Sequence, residues 1–183
     1  GRRQALGDQV VEGIRAGGGE ASYYEADISV SDELRSLIQF AVDTYGRLDI
    51  LMNNAFSSTG GGPVVDLDET AWDSAMATSL KAVYLGSKFA IPEMIKSGGG
   101  SIINTSSVHG LLAGHRSPSY EAAKAGIINL TRQIAVDYGH QGIRSNAICP
   151  GLIIVEKTAE RFRNPANMRR EETLYPVGRP GYP

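Results

Sequence analysis

Only one cysteine occurs in 183 residues. That excludes an internal disulfide, and no Cys/His spacing suits zinc. Cys149 sits in an apolar, strand-like run, so it reads as a buried and inert thiol rather than a nucleophile. Neither sign of charge is in excess: 18 Lys and Arg against 20 Asp and Glu leave a net charge of −2. Such a balance exerts no global pull on nucleic acid or on an anionic membrane, so neither is an expected partner. No apolar run reaches the length of a membrane span, and no signal-peptide pattern is present, which makes a cytoplasmic location the default expectation. Repeats and low-complexity tracts are also missing. What remains is an ordinary globular composition, 42% hydrophobic and 21% charged. The length suffices for one domain with a sizeable core.

Punctuation by glycine divides the chain into alternating segments. A helix is expected over 2–16, a strand over 21–28, and a second helix from Ser31 to Gly46. A second strand follows over 48–53, and a glycine-rich loop over 56–66. A long helical region runs from Thr70 to about Ser97, with Pro92 as a potential kink. A strand at 101–105, a helix at 118–139 and a strand at 143–148 complete the pattern, and the chain then turns polar. Strands alternating with helices imply an α/β fold, a doubly wound parallel sheet covered on both faces. Ligands of such sheets bind beyond the carboxyl ends of the strands, where Asp27, Asn54, Ser107 and Pro150 all fall. Two glycosylation sequons, at Asn104 and Asn129, lie within a predicted strand and a predicted helix and are read as accidental.

The densest chemistry lies between Ser106 and Lys124. Ser117-Pro118 reads as a helix start, with Ser117 as N-cap and Pro118 in the first turn. Tyr120 and Lys124, four apart, then share one helix face, and the preceding loop returns Ser107 towards it. A hydroxyl, a phenol and an ammonium at one spot suit proton transfer at a carbonyl or alcohol oxygen. A free phenol titrates near ~10, too high for a good base near neutrality, and a neighbouring ammonium favours the phenolate. A serine hydroxyl can hold the oxygen on which charge changes. On spacing alone, a surface Tyr-Lys pair on an amphipathic helix is the favoured reading, because Tyr-x-x-x-Lys is a common pattern.

With Asp27-Ile28, Asn53-Asn54-Ala55 and Pro150-Gly151 at successive strand ends, the Ser107, Tyr120 and Lys124 pattern resembles the short-chain dehydrogenase/reductase family over essentially the whole chain. The resemblance implies a Rossmann-like fold and an NAD- or NADP-dependent oxidoreductase acting on a small-molecule secondary alcohol or ketone. It assigns Tyr120 as acid/base, Ser107 as anchor of the substrate oxygen, and Lys124 as holder of the nicotinamide ribose. Asp27 and Ile28 would meet adenine, Asn54 and Ala55 the adenosine ribose, and Pro150, Gly151, Leu152 and Ile153 the nicotinamide. Asp27 by itself also reads as a turn or helix cap. The resemblance further implies a homo-oligomer, dimer or tetramer, built on helices 80–96 and 118–139. There Ala122, Gly126 and Asn129 form a stripe of small residues. The alternative reading is a regulatory or structural nucleotide-binding protein of the same fold without turnover.

Several departures accompany the match. Ser79 aligns with the family's catalytic asparagine on the long helix. Phe56 replaces the glycine after Asn-Asn-Ala, Val155 a frequent threonine, and Ala123 a frequent serine. His109 and His115 lie in the loop between Ser107 and Tyr120, equally readable as substrate contacts or as solvated side chains. No metal site is expected. The family's strand–glycine turn–helix opening is not found, so the chain is expected to form a single partial domain over 1–183. It would lack the first strands and the last strand, and be inactive by itself.

Overall fold

The computed structural model describes residues 1–56 and 61–183, and every side chain among them except 157, 161 and 170. Three parallel strands form the sheet, β1 (Ile50–Asn53), β2 (Gly100–Thr105) and β3 (Ile143–Ile148), in the order β1-β2-β3. Register is fixed by pairs such as Leu51 with Ile102 and Asn104 with Ala147. Around it stand α1 (Gln4–Ala16), α2 (Ser31–Tyr45), α3 (Glu69–Met76), α4 (Ala82–Lys96), α5 (Pro118–Tyr138), α6 (Glu156–Phe162) and α7 (Pro165–Leu174). The predicted helices and the last three predicted strands are therefore present, with ends shifted by one or two residues.

The core lies between the sheet and α2, α4 and α5. Leu34 and Ile38 of α2 meet Leu85, Phe89 and Met94 of α4, and these pack on Ile102 and Ile143 with Ile134 of α5. Helices cover one face only. The other face, carrying Ile50, Met52, Arg144, Asn146 and Ile148, is exposed. The strand order explains this. It advances in one direction, and right-handed crossovers in one direction put both crossover helices on the same side.

The expected strand at 21–28 does not form. This segment carries no ladder; its Ala26 N–H donates to the Gly1 carbonyl at 3.0 Å, while the Arg15 guanidinium donates to the Ala21 carbonyl and the Asp27 N–H donates to the Glu33 carboxylate. A strand exists only through a neighbour, and none of the described strands lies beside it. The long helix is also interrupted, by a five-residue π turn at Ala77–Lys81 rather than by a break at Pro92, which sits within α4. A π turn adds a residue to the helical circuit and marks strained or functional places. Gly13, Gly17 and Gly19 reproduce the spacing of a Gly-x-x-x-Gly-x-Gly turn. They sit at the C-terminal end of α1, not between a strand and a helix N-terminus, so they offer no pyrophosphate cradle. Of the loop expected at 56–66, residues 57–60 lie outside the described residues; Val64–Asp66 form a 3₁₀ turn.

Candidate active site

The site is assembled where β2 ends. Thr105 leads into Ser106 and Ser107, then a 3₁₀ turn at Val108–Gly110, then a loop into α5. Val108 N–H donates to the Pro150 carbonyl and Ser106 N–H to that of Ile148, which binds this turn to the end of β3. The buried Ser106 hydroxyl donates to the Lys124 carbonyl at 2.7 Å, tying it to α5 as well. Glycine at 110 permits the approach: a Cβ there would come within 2.7 Å of the Lys124 carbonyl oxygen. Ser117 stands at the N-cap of α5 as expected, but its hydroxyl caps nothing in the helix; it donates to the His115 carbonyl.

Tyr120 and Lys124 share a face. The Lys124 ammonium is buried and lies 5.7 Å from the centroid of the Tyr120 ring. It donates to the Thr105 carbonyl at 2.7 Å. Burial pushes its pKa below the usual lysine value, and the nearby Cys149 partly offsets that. Cys149 itself is half-buried and free. Ser107 is buried, and its Oγ accepts from the His109 N–H at 3.1 Å. Its own hydroxyl hydrogen remains to be donated to an incoming oxygen.

Three neighbours of Tyr120 were not legible as a group. The Phe56 ring stands edge-on at 5.2 Å between centroids and also lies 5.3 Å from the Lys124 ammonium. The His109 ring also stands edge-on to Tyr120, at 5.9 Å between centroids. His109 Nδ1 meets Glu121 Oε1 at 2.6 Å. The only sequence signals were a bulky residue where glycine is usual and a histidine two residues past Ser107.

Ser79 lies within the π turn, buried to 3% exposure, and its hydroxyl has no partner among the described residues. No hydrogen bond joins it to Tyr120 or Lys124 among the described residues. Beneath the site, Asn53 Nδ2 donates to the fully buried Asn104 at 2.8 Å, and Asn104 Nδ2 donates to Thr131 at 2.9 Å. Burial at 104 agrees with an accidental sequon there. Asn54 Oδ1 accepts from Thr105 Oγ1 at 3.0 Å.

Ile28, Asn54 and Ala55 line one cavity of about 190 Å³, which Gly1 borders. Asp27 adopts the capping role: its carboxylate accepts from the Ser29 N–H and hydroxyl and pairs with Arg2 at 3.2 Å. The Ser29 hydrogen bonds, and then Arg2, hold its carboxyl below the usual range. Pro150 to Ile153 follow β3. The Leu152 N–H donates to the Tyr175 hydroxyl, and Ile153 bridges to Gly181. Among the described residues no group of three or more His, Cys, Asp and Glu could hold a metal ion, and no helix is long and apolar enough to cross a membrane.

Residues 1–166 match the family model of the short chain dehydrogenases. The chain belongs to this family. It is 39% identical to an uncharacterized oxidoreductase of Thermotoga maritima, with 91% of this chain and 66% of that protein covered. It is 36% identical to 2-(S)-hydroxypropyl-CoM dehydrogenase 3 of Xanthobacter autotrophicus, with 98% and 72% covered. The chain thus spans about two thirds of these relatives' length. A solved short-chain dehydrogenase/reductase of Burkholderia xenovorans superposes with a TM-score of 0.88 at 32% identity, covering 98% of this chain and 70% of that one. The gox2181 structure superposes at 0.93 with 23% identity, covering 99% and 71%, which speaks for the Rossmann-like fold alone.

A nicotinamide dinucleotide, which the family implies, fits these residues at one end. The buried Lys124 ammonium keeps hydrogens beyond the one given to Thr105, and Tyr120 stands beside it. At the other end Ile28, Asn54 and Ala55 share their cavity, while the Asp27 carboxylate is taken up by Ser29 and Arg2.

Proposed function

We propose that the protein is an NAD- or NADP-dependent oxidoreductase that interconverts a small secondary alcohol and a ketone, with Tyr120 as acid/base. The observation that carries this reading is the buried Lys124 ammonium held against the Tyr120 ring, next to the strand end that bears Ser107. In alcohol oxidation, Ser107 donates its free hydroxyl hydrogen to the substrate oxygen and fixes it. As the phenolate, Tyr120 takes the hydroxyl proton as the carbonyl forms; as the phenol, it gives that proton to the carbonyl oxygen in the reverse direction. Lys124 keeps a positive charge beside the phenol in a poorly solvated place, where its field is strong. A bound nicotinamide supplies the hydride acceptor or donor. Lys124, Tyr120 and Pro150 to Ile153 would hold its nicotinamide half; Ile28, Asn54 and Ala55 would hold the adenosine half, and Asp27 would join them on releasing Arg2. Ser79 belongs to the proton path in this reading. Its buried hydroxyl, unpartnered among the described residues, would take an ordered water as its partner in that path.

The same reading makes the working protein a homo-oligomer through α4 and α5. These helices flank an apolar groove of about 620 Å³ lined by Tyr84, Ile91, Leu130 and Ile134. Gly126 is not part of a free stripe there: a Cβ on it would meet Leu80 at 2.7 Å within the chain.

The test is direct. Full-length protein is titrated calorimetrically with NADH and NADPH and assayed by nicotinamide absorbance on a panel of secondary alcohols and ketones. Binding with turnover is expected; binding without turnover on any of them would favour the non-catalytic alternative.

A further inference from the structure

Pro150 to Ile153 carry no polar side chain, so this segment can offer a ligand only its backbone and its shape. Its conformation is held from outside. On one side the Pro150 carbonyl accepts from the Val108 N–H at 3.0 Å, one residue past Ser107. On the other side stands the C-terminal arm. It leaves α7 at Tyr175, turns back where the Gly178 N–H donates to the Tyr175 carbonyl at 2.8 Å, and returns to the segment at Gly181. There the Gly181 N–H donates to the Leu152 carbonyl, and the Gly181 carbonyl accepts from the Ile154 N–H, both at 2.9 Å. The fully buried Pro180 anchors this return. Tyr175 reaches the segment with its side chain. Its hydroxyl accepts from the Leu152 N–H at 2.9 Å. Its ring lies against Gly151, where a Cβ would come within 3.3 Å of a ring carbon. Among the described residues the Gly151 and Ile153 N–H groups meet no acceptor, so they are left for a ligand.

We propose that Tyr175 is a positioning residue for the nicotinamide half of the cofactor: its hydroxyl and ring fix the conformation of Pro150 to Leu152 without touching the reacting atoms. This rests on the reading of Pro150 to Ile153 as the nicotinamide segment and deepens it. Tyr175 lies beyond residues 1–166, so the family match does not assign it. Glycine at 151 leaves the peptide that follows it free to rotate. The phenol removes that freedom by engaging the Leu152 N–H. Without the phenol oxygen this half-buried N–H is stranded, and the segment recovers a partner for it by turning the Gly151–Leu152 peptide elsewhere. Such a turn re-aims the Gly151 and Ile153 N–H groups. It does not reach Ile28, Asn54 and Ala55, which line a separate cavity that contains no residue of this segment or of the arm. The effect of Tyr175 is therefore confined to one half of the dinucleotide.

The experiment uses full-length protein and two probes. One is the dinucleotide that the protein binds, NADH or NADPH. The other is the matching fragment without the nicotinamide ring, ADP-ribose or its 2′-phosphate, read by displacement of the dinucleotide. Tyr175→Phe removes the hydroxyl and keeps the ring on Gly151. It is expected to weaken the dinucleotide about three- to tenfold in calorimetric titration and to leave the fragment within about twofold. Tyr175→Leu, which also loses the ring, should weaken the dinucleotide further with the same selectivity. A merely structural effect weakens both probes alike. Equal losses for the two probes, or an unchanged dinucleotide affinity in Tyr175→Phe, overturn the positioning role while leaving the oxidoreductase reading intact. An unmodified protein that binds neither NADH nor NADPH overturns that reading, and the positioning role with it.

Discussion

Phe56 lies edge-on to Tyr120, at 5.2 Å between ring centroids, and faces the Lys124 ammonium at 5.3 Å. The ring therefore covers the cation that the proposed ribose contact requires. A cation–π contact of this kind contributes about 0.5–1 kcal/mol. Phe56→Gly should accordingly tighten NADH or NADPH binding about two- to fivefold in the full-length protein, read by calorimetric titration. Weaker binding in the variant would show instead that the ring supports the cofactor.

Asn104 is the polar keystone under the site. It is fully buried, with one hydrogen bond to Asn53 of β1 and one to Thr131 of α5. Asn104→Ala removes both and strands two partners, which should cost about 2–3 kcal/mol. Urea unfolding measures it, and a loss below about 0.5 kcal/mol would show that water replaces the amide fully.

The Asp27 carboxyl is held below its ordinary value of 3.8, chiefly by Ser29. A depressed folded-state pKa contributes stability above the unfolded value and loses it as pH falls through the folded one. Asp27→Asn should therefore lower stability near neutral pH, by about 0.5 kcal/mol given the open setting. In strong acid, where both states are protonated, it should change nothing. Denaturation at the two pH values decides; an equal loss at both would make the effect steric rather than electrostatic.

If α4 and α5 associate, exposed residues at their surface decide it. Tyr84 is 46% exposed and Val136 77% exposed. Tyr84→Asp with Val136→Asp should shift full-length protein towards monomer in light scattering at fixed concentration. An unchanged mass would place the association elsewhere, and a monomeric parent protein would remove it.

Segments whose structure is set locally were legible in advance. The Gly98-Gly99 pair before β2, Gly46 in the left-handed region after α2 and Pro118 at the start of α5 mark their boundaries by backbone chemistry alone. The segment at 21–28 has strand-like residues and no strand, because pairing is a property of neighbours and not of composition. Likewise the π turn around Ser79 has no sequence period of its own. The Tyr120-Lys124 face followed from helix geometry over four residues. Phe56 over Lys124 did not, since 68 residues separate them and only the folded sheet brings the ends of β1 and β2 together. The His109–Glu121 contact, across twelve residues of loop and helix, depends on how Gly114 closes the loop.

The most direct test of the central claim is Tyr120→Phe in the full-length protein, which deletes the transferable proton and almost no volume. Steady-state turnover by nicotinamide absorbance should fall at least about 100-fold, while the dinucleotide dissociation constant stays within about threefold, because the phenolic hydroxyl is one contact among many. Turnover retained within a few fold of the unmodified protein would contradict the account and assign the proton transfer to another group.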